Sequence, residues 1–318
     1  MRKTFPVAAA LKNMVCGLAV LWAWITPSAV AGSLSADDMT VNSRATFCGS
    51  FRVPGNGNFK TNDPVVYYSF TTNTNPILDN SGHGYVATNM GGIYTNGVTG
   101  GGYQFNGTTN QYLLGPSNMT QLVGATGLTL CAWVKKTSFS PTVYETVAGT
   151  WEDGRQMFAL VFLPTGVVFF GVSPTGNVSS IDGVTTPGNA IPLGQWTHLA
   201  ASWDGQSHVA SLYLNGVLGW PRVQGSTTSG QLSAAVAAAR FRVGAAASGT
   251  GNSPTYLFGG CVDEVMVFPR KLSDDEIVDA YLNTRPAVPN QGQVRFETGV
   301  HFVRPLGDLS MGTFTNAP

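Results

Sequence analysis

Between residues 64 and 285, carboxylates come in three close groups: Glu152-Asp153, Asp263-Glu264 and Asp274-Asp275-Glu276. Two carboxyls spaced two apart on one strand share a face. Such a pair can divide the roles of glycoside hydrolysis, which in retaining enzymes needs carboxyls about 5–5.5 Å apart. Only Asp274 and Glu276 have that spacing, and they follow Ser273 in a helix-start pattern and not a strand. Glu152-Asp153 lies in a turn-like stretch with Trp151, Gly154 and Arg155. Asp263 and Glu264 are neighbours inside the apolar run GGCVDEVMVF, so regular pleating predicts opposite faces and no catalytic pair. The third group follows Ser273, where a helix cap and the helix dipole account for acids. The four histidines, His83, His198, His208 and His301, form no H-E-x-x-H pattern. There is no G-x-S-x-G elbow and no C-x-x-C pair. The Gly100-Gly101-Gly102 run lies between strand patterns and opens no helix, so it is no phosphate cradle. These residues predict binding and not catalysis. Asp263 still needs an explanation, because a carboxylate in an apolar strand must find donors or a cation. Backbone N–H groups could hold it, or a structural Ca²⁺ could, through carboxylate and carbonyl oxygens.

The elements that position these groups are short strands. Val65–Phe70, Leu128–Lys136, Met157–Leu163, Val167–Val172 and Gly259–Phe268 are β-branched or aromatic runs. Shorter strand patterns occur at Gly100–Asn106, Tyr112-Leu113, Thr146–Thr150 and Arg240–Gly244. Gln195 to Val217 reads as a meander, with turns at Asp204-Gly205 and Asn215-Gly216, residue pairs that tolerate positive φ. Trp133, Trp196 and Trp203 are large enough to fill the layer between two sheets. One helix is expected after Ser273, with Glu276 completing a capping box and Pro286 ending it; it would cover an end of the sandwich. Strands do not alternate with helices, which predicts an all-β, two-sheet antiparallel sandwich.

Composition fits an exported domain. Charged residues are 11% of the chain, against a usual ~25%. The formal net charge is zero, with no basic stripe, so neither nucleic acid nor an anionic membrane surface is an expected partner. Residues 1–31 read as a signal peptide: Arg2, Lys3 and Lys12, an apolar run from Met14 to Ile25, then Ala29-Val30-Ala31. No membrane span is expected after its removal. Cys48, Cys131 and Cys261 then remain, and Cys131–Cys261 is the expected disulfide because both sit in strong strand patterns. Residues 32–63 form an N-terminal extension, 64–285 the domain, and 286–318 a tail.

Five segments carry a family resemblance: LDNSGHGYVAT (78–88), YQFNG (103–107), LTLCAWVKK (128–136), GQWTHLAASWDGQSHVASLYLNGV (194–217) and FGGCVDEVMVFPRKLSDDEI (258–277). In this order they resemble the laminin-G-like branch of the concanavalin A-like lectin/glucanase jelly rolls. The resemblance covers Val65 to Leu282 and implies a jelly-roll sandwich with one short C-terminal helix. It also implies a calcium site, with Asp263 and Asp79 as carboxylate ligands and carbonyls near Gly82 and Asn106-Gly107. The clustered carboxylates of the related glucanases are missing here.

The expected function is therefore a secreted or cell-surface, extracellular or periplasmic, non-catalytic module that binds carbohydrate or an extracellular protein. Loop aromatics and polar groups are the contact candidates: Tyr94, Trp151, Glu152, Asp153, Arg155, Trp220 and Tyr256. The alternative is a structural component of a surface assembly or particle, oligomerising through its two terminal arms.

Overall fold

The computed structural model describes residues 64–285 apart from 153–154, 178, 224–228, 235–238 and 249–252. The expected signal peptide, both terminal arms, Cys48 and Asp153 lie outside the described residues. So do the residues on which arm-mediated oligomerisation would depend.

Two antiparallel sheets face each other. The first contains β1 (Val66–Tyr68), β3 (Ile93–Asn96), β4 (Gly101–Asn106), β6 (Gly127–Lys135), β11 (Thr197–Asp204), β12 (Val209–Leu214), β13 (Val217–Val223) and β17 (Gly259–Phe268). Their order is β13-β12-β11-β6-β17-β4-β3, with β1 paired to β17 off this path. The second contains β2 (Thr88–Met90), β5 (Tyr112–Leu114), β7 (Glu145–Gly149), β8 (Phe158–Leu163), β9 (Val167–Val172), β10 (Asp182–Thr185) and β14 (Arg242–Val243), in the order β10-β9-β8-β7-β14-β5-β2. A separate hairpin pairs β15 (Ala246–Ser248) with β16 (Ser253–Thr255). The meander expected over Gln195–Val217 is present as β11, β12 and the start of β13.

Alternation decides which residues enter the core. Along β6, Leu128, Leu130, Ala132 and Val134 point between the sheets and join Phe158, Phe162, Phe170, Leu199, Trp203 and Val262 there. Trp203 is fully buried, and its indole N–H donates to Asp182 at 2.8 Å. Trp133 does not share that layer. It takes the odd face of β6, between His198 and Tyr281, and donates its indole N–H to Thr284 at 2.7 Å. Trp196 lies just before β11, half-buried, with the Lys135 ammonium 5.1 Å from its ring centre. Only one of the three tryptophans expected between the sheets is therefore in the inter-sheet core.

The C-terminal α-helix, α1 (Asp274–Thr284), begins at the expected capping box on Ser273 and Glu276. It does not cover an end of the sandwich. Leu272, Ile277 and Ala280 pack on the outer face of the first sheet, against Cys131, Ala200, Tyr213, Met266 and Phe268.

That register also rules out the expected disulfide. Cys131 pairs with Met266 across the β6–β17 ladder, whereas Cys261 pairs with Lys135. Four residues of strand separate the two positions, about 13 Å, against the ~7 Å limit that a bridge tolerates between Cα atoms. Both thiols are free and buried, and burial pushes the Cys131 thiol up to about 12. In the native protein Cys131 is expected to resist a thiol reagent, and both thiols should titrate on unfolding without reductant. A Cys131–Cys261 peptide recovered under non-reducing conditions would contradict this register.

Candidate functional site

The most chemically loaded residues are Asp263 and Glu264, 0% and 3% exposed. Regular pleating predicts that they point apart. The ladder between β17 and β6 slips between Asp263 and Met266, and Glu264 adopts φ +51°. A bulge of this kind re-aims a side chain, and here it turns both carboxylates onto one hairpin turn. Asp263 Oδ2 accepts the N–H groups of Val98 at 2.8 Å and Thr99 at 3.3 Å, and its Oδ1 accepts the Glu264 N–H at 2.7 Å. Glu264 accepts the Thr99 hydroxyl at 2.7 Å and the Tyr67 hydroxyl at 2.6 Å. Gly97 has to be glycine, since a Cβ there would collide with Asp263 Oδ2. Burial, then the neighbouring Glu264 charge, raises the Asp263 carboxyl to about 8. Glu264 is also raised, by burial. Both acids are thus spent on fastening the β3–β4 turn to β17. Neither is open to a ligand.

Asp79 is spent in the same way. Its carboxylate accepts the N–H groups of Tyr67, Ser81 and Tyr85 and the Ser81 hydroxyl, all at 2.8–3.0 Å. Tyr67 ties the two acidic centres together, giving its N–H to Asp79 and its hydroxyl to Glu264. The expected calcium ligands do not fit a cation. Six N–H groups already point at the two aspartates, and a cation would have to displace them. Asn106, opposite Gly259, is about 13 Å along β4 from Gly102, whose Cβ position faces Asp263. The Asn106 side-chain oxygen instead caps its own turn, accepting from Thr108 and Thr109 N–H. Gly82 has φ +89° in the turn that follows Asp79. No group of three or more His, Cys, Asp or Glu that could hold a metal occurs among the described residues. Neither EDTA nor added Ca²⁺ is therefore expected to move the melting temperature. A rise with Ca²⁺ that Asp263→Ala removes would restore the calcium reading.

The predicted contact residues do not assemble into one surface. Tyr94 on β3 and Trp220 on β13 sit on the two ends of the first sheet's strand path, six strand spacings or about 29 Å apart. Both pack half-buried against the core, and Tyr94 donates its hydroxyl to the Phe70 carbonyl. Glu152 is buried in an ion pair with Arg242 at 2.7 Å and also accepts the Arg240 N–H, so it is a structural acid. Trp151 is half-buried, with its carbonyl held by the Ala247 N–H. Arg155 is exposed.

Tyr256 alone among the predicted aromatics stands well open, 43% exposed, and it has a partner that sequence reasoning missed. Tyr144, 45% exposed, lies with its ring centre 5.4 Å from that of Tyr256, the two planes 54° apart. The pair is well anchored. Tyr256 is held at φ +49°, uncommon for a non-glycine residue, and its carbonyl accepts the Thr146 N–H at 2.7 Å. Below it, Lys136 and Glu145 form a buried ion pair, and both bond the backbone of Gly259. The Tyr144 signal in the sequence was Ser140-Pro141-Thr142-Val143-Tyr144, a proline turn ending on two exposed apolar residues; nothing in it links Tyr144 to Tyr256 more than a hundred residues on.

Known proteins place this fold. The binding domain of botulinum neurotoxin DC, solved in complex with rat synaptotagmin II, is 10% identical, with 71% of this chain and 52% of that chain covered and a TM-score of 0.55. A botulinum neurotoxin type C structure, described by a cell entry that depends on interaction with two ganglioside molecules, matches with the same identity, coverage and TM-score. Domain 4 of AbnA, a GH43 extracellular arabinanase from Geobacillus stearothermophilus in complex with arabinotriose, is 22% identical over 69% of this chain and 98% of that chain, with a TM-score of 0.46. The chain spans about half the length of the neurotoxin domains it matches. No curated protein sequence matches it. Residues 106–278, more than half of the chain, match the family model described as the concanavalin A-like lectin/glucanases superfamily. With the two-sheet sandwich and its covering helix, that match makes this chain a member of the concanavalin A-like lectin/glucanases superfamily.

Proposed function

We propose that the domain is an exported, non-catalytic module that binds extracellular carbohydrate. One observation carries this reading: the grouped acids with described side chains on the sheets and loops, Asp263, Glu264 and Glu152, are buried and bonded to the protein, while the tyrosines at the rim are open. A glycosidase needs two carboxyls that reach a sugar, and a binding module needs aromatic faces and few charges. Solved domains of similar fold add support of a general kind, since they are described with a protein partner and with gangliosides. At 10% identity they bear on the fold and leave the ligand of this chain to its own surface. Export is read from residues 1–31.

Affinity electrophoresis through gels holding arabinan, xylan or mixed-linkage β-glucan tests the reading. Retardation by at least one polysaccharide, with no reducing ends released on incubation, is the expected result. Reducing ends released in proportion to the protein would make the domain an enzyme. No retardation, together with capture of a protein ligand, would favour the protein-binding form of the module.

A further inference from the structure

We infer that Tyr144 and Tyr256 form a two-ring cleft for a neutral saccharide, which rests on the carbohydrate-binding reading above and gives it a place and a ligand class. The two rings meet at 54° with centres 5.4 Å apart, so they do not stack flat on each other. Both are close to half-exposed, and neither hydroxyl bonds another described residue. Val143, next to Tyr144 in sequence, is a further exposed apolar residue at 54%. A sugar ring offers an apolar C–H face and a rim of hydroxyls. The cleft offers ring faces for the first and phenol hydroxyls for the second.

The electrostatics select within the sugars. Two charges tied to the backbone near the cleft, Lys136 and Glu145, are 1% and 8% exposed at the side chain and neutralise each other. That pair offers no open cation to a carboxylate, sulfate or sialic acid, and among the described residues no lysine or arginine lies over either tyrosine ring. An acidic sugar gains no ion pair from Lys136 and Glu145, so the cleft suits a neutral one. Preorganisation adds to the case. Tyr256 is fixed by its left-handed backbone and by the Thr146 N–H, and the Val143 N–H is bound by the Ser140 hydroxyl oxygen at 3.0 Å. Rings already held in place lose little freedom on binding.

A printed array of neutral and sialylated glycans, probed with the full chain, tests this. The variants are Tyr144→Ala, Tyr256→Ala and the two Tyr→Phe changes, each checked for an unchanged melting temperature. Neutral glycans should bind the parent. Each Ala change should weaken them by about tenfold or more, and each Phe change, which keeps the ring, by less. Tyr256→Gly guards against misfolding, because glycine accepts the same φ without strain; it should fold normally and lose binding. If the parent binds neutral glycans and the Ala variants bind equally well, the cleft is wrong and the carbohydrate reading stands. Binding confined to sialylated glycans overturns the neutral class. No binding to any glycan removes both the reading and the cleft.

Discussion

Glu145→Ala is expected to lower the stability of the domain by about 3–5 kcal/mol, because it strands a buried ammonium. Lys136 is 1% exposed at its side chain, and it has Glu145 Oε1 and the Gly259 carbonyl as hydrogen-bond partners, each at 2.5 Å. Its ammonium also lies 4.8 Å from the centre of the Phe258 ring and 5.8 Å from that of Phe162. Burial already lowers its pKa despite the carboxylate that opposes the shift. Without that carboxylate the lysine must lose its proton or break out to solvent. The Gly259 N–H and Ser140 N–H, which Glu145 accepts at 2.9 and 3.4 Å, are released as well. At a few degrees per kcal/mol for a domain of this size, the melting temperature should fall by about 10 °C. Lys136→Met with Glu145→Leu should recover most of the loss, since an apolar pair of similar volume removes both desolvation penalties. A single Glu145→Ala variant that melts with the parent would show that the pair is not buried as described. Glu145 directly follows Tyr144, and Gly259 lies three residues beyond Tyr256, so the same change should also loosen the tyrosine cleft.

How much of this was legible in the sequence depends on the distance over which each signal acts. Local signals were accurate. Ser273 and Glu276 cap the helix where expected, and Asp204-Gly205 and Asn215-Gly216 make the turns of the meander. The alternation in β6 assigned its residues correctly to two faces, yet it could not say that the Trp133 face lies under α1. Both faces of β6 are buried, so size and hydrophobicity did not distinguish them. At Asp263 and Glu264 the rule of alternation itself failed. One left-handed residue, Glu264, turned a pair expected on opposite faces into a shared clamp on Val98 and Thr99. No residue type in VDEV signals that bulge, since a glutamate at positive φ is not preferred there. Pairings distant in sequence were beyond reach for the same reason. Tyr144 meets Tyr256, and Glu152 meets Arg242, only because the strands bring separate loops together.

The clamps have a common consequence for the candidate site. Asp79, Asp263, Glu264, Glu145 and Glu152 are acids that a search by motif would place in a metal or catalytic centre. Each instead satisfies backbone N–H groups, hydroxyls or a buried cation at a loop base. In a chain that is only 11% charged, few carboxylates are then left for chemistry. These acids hold the loop bases while Tyr144 and Tyr256 stay open to solvent, which is the division of labour a binding surface needs.

Acid should weaken the domain through His198, and this gives the second large effect. The side chain is 0% exposed, and neither ring nitrogen has a hydrogen-bond partner. Trp133 stands edge-on to it at 5.4 Å and Tyr281 of α1 covers it at 5.8 Å. Its backbone is fully paired with Asn215, so only the ring is left without partners. Burial lowers its pKa from 6.5 to about 3. The unfolded chain therefore takes up a proton well before the folded one does. Stability is complete above pH 6.5 and is lost as the pH falls toward 3. At about pH 4 this one group should cost about 3 kcal/mol, a large share of a typical domain's stability. Asp263 slopes the other way: its raised pKa makes the folded state bind the extra proton between about pH 4 and 8, so its contribution falls as the pH rises. Urea melts at about pH 4 and about pH 7.5 separate the two. His198→Phe keeps an aromatic ring in the cage and has nothing to protonate, so with the Asp263 contribution common to both its stability at about pH 4 relative to about pH 7.5 should exceed the parent's by about 3 kcal/mol. Parallel changes in parent and variant would show that His198 is charged, or reached by water, in the native fold. Because Tyr281 and Thr284 belong to the last turns of α1, acid should first release that end of the helix from the sheet, and hydrogen exchange at residues 281–284 should rise before exchange in β6 and β11.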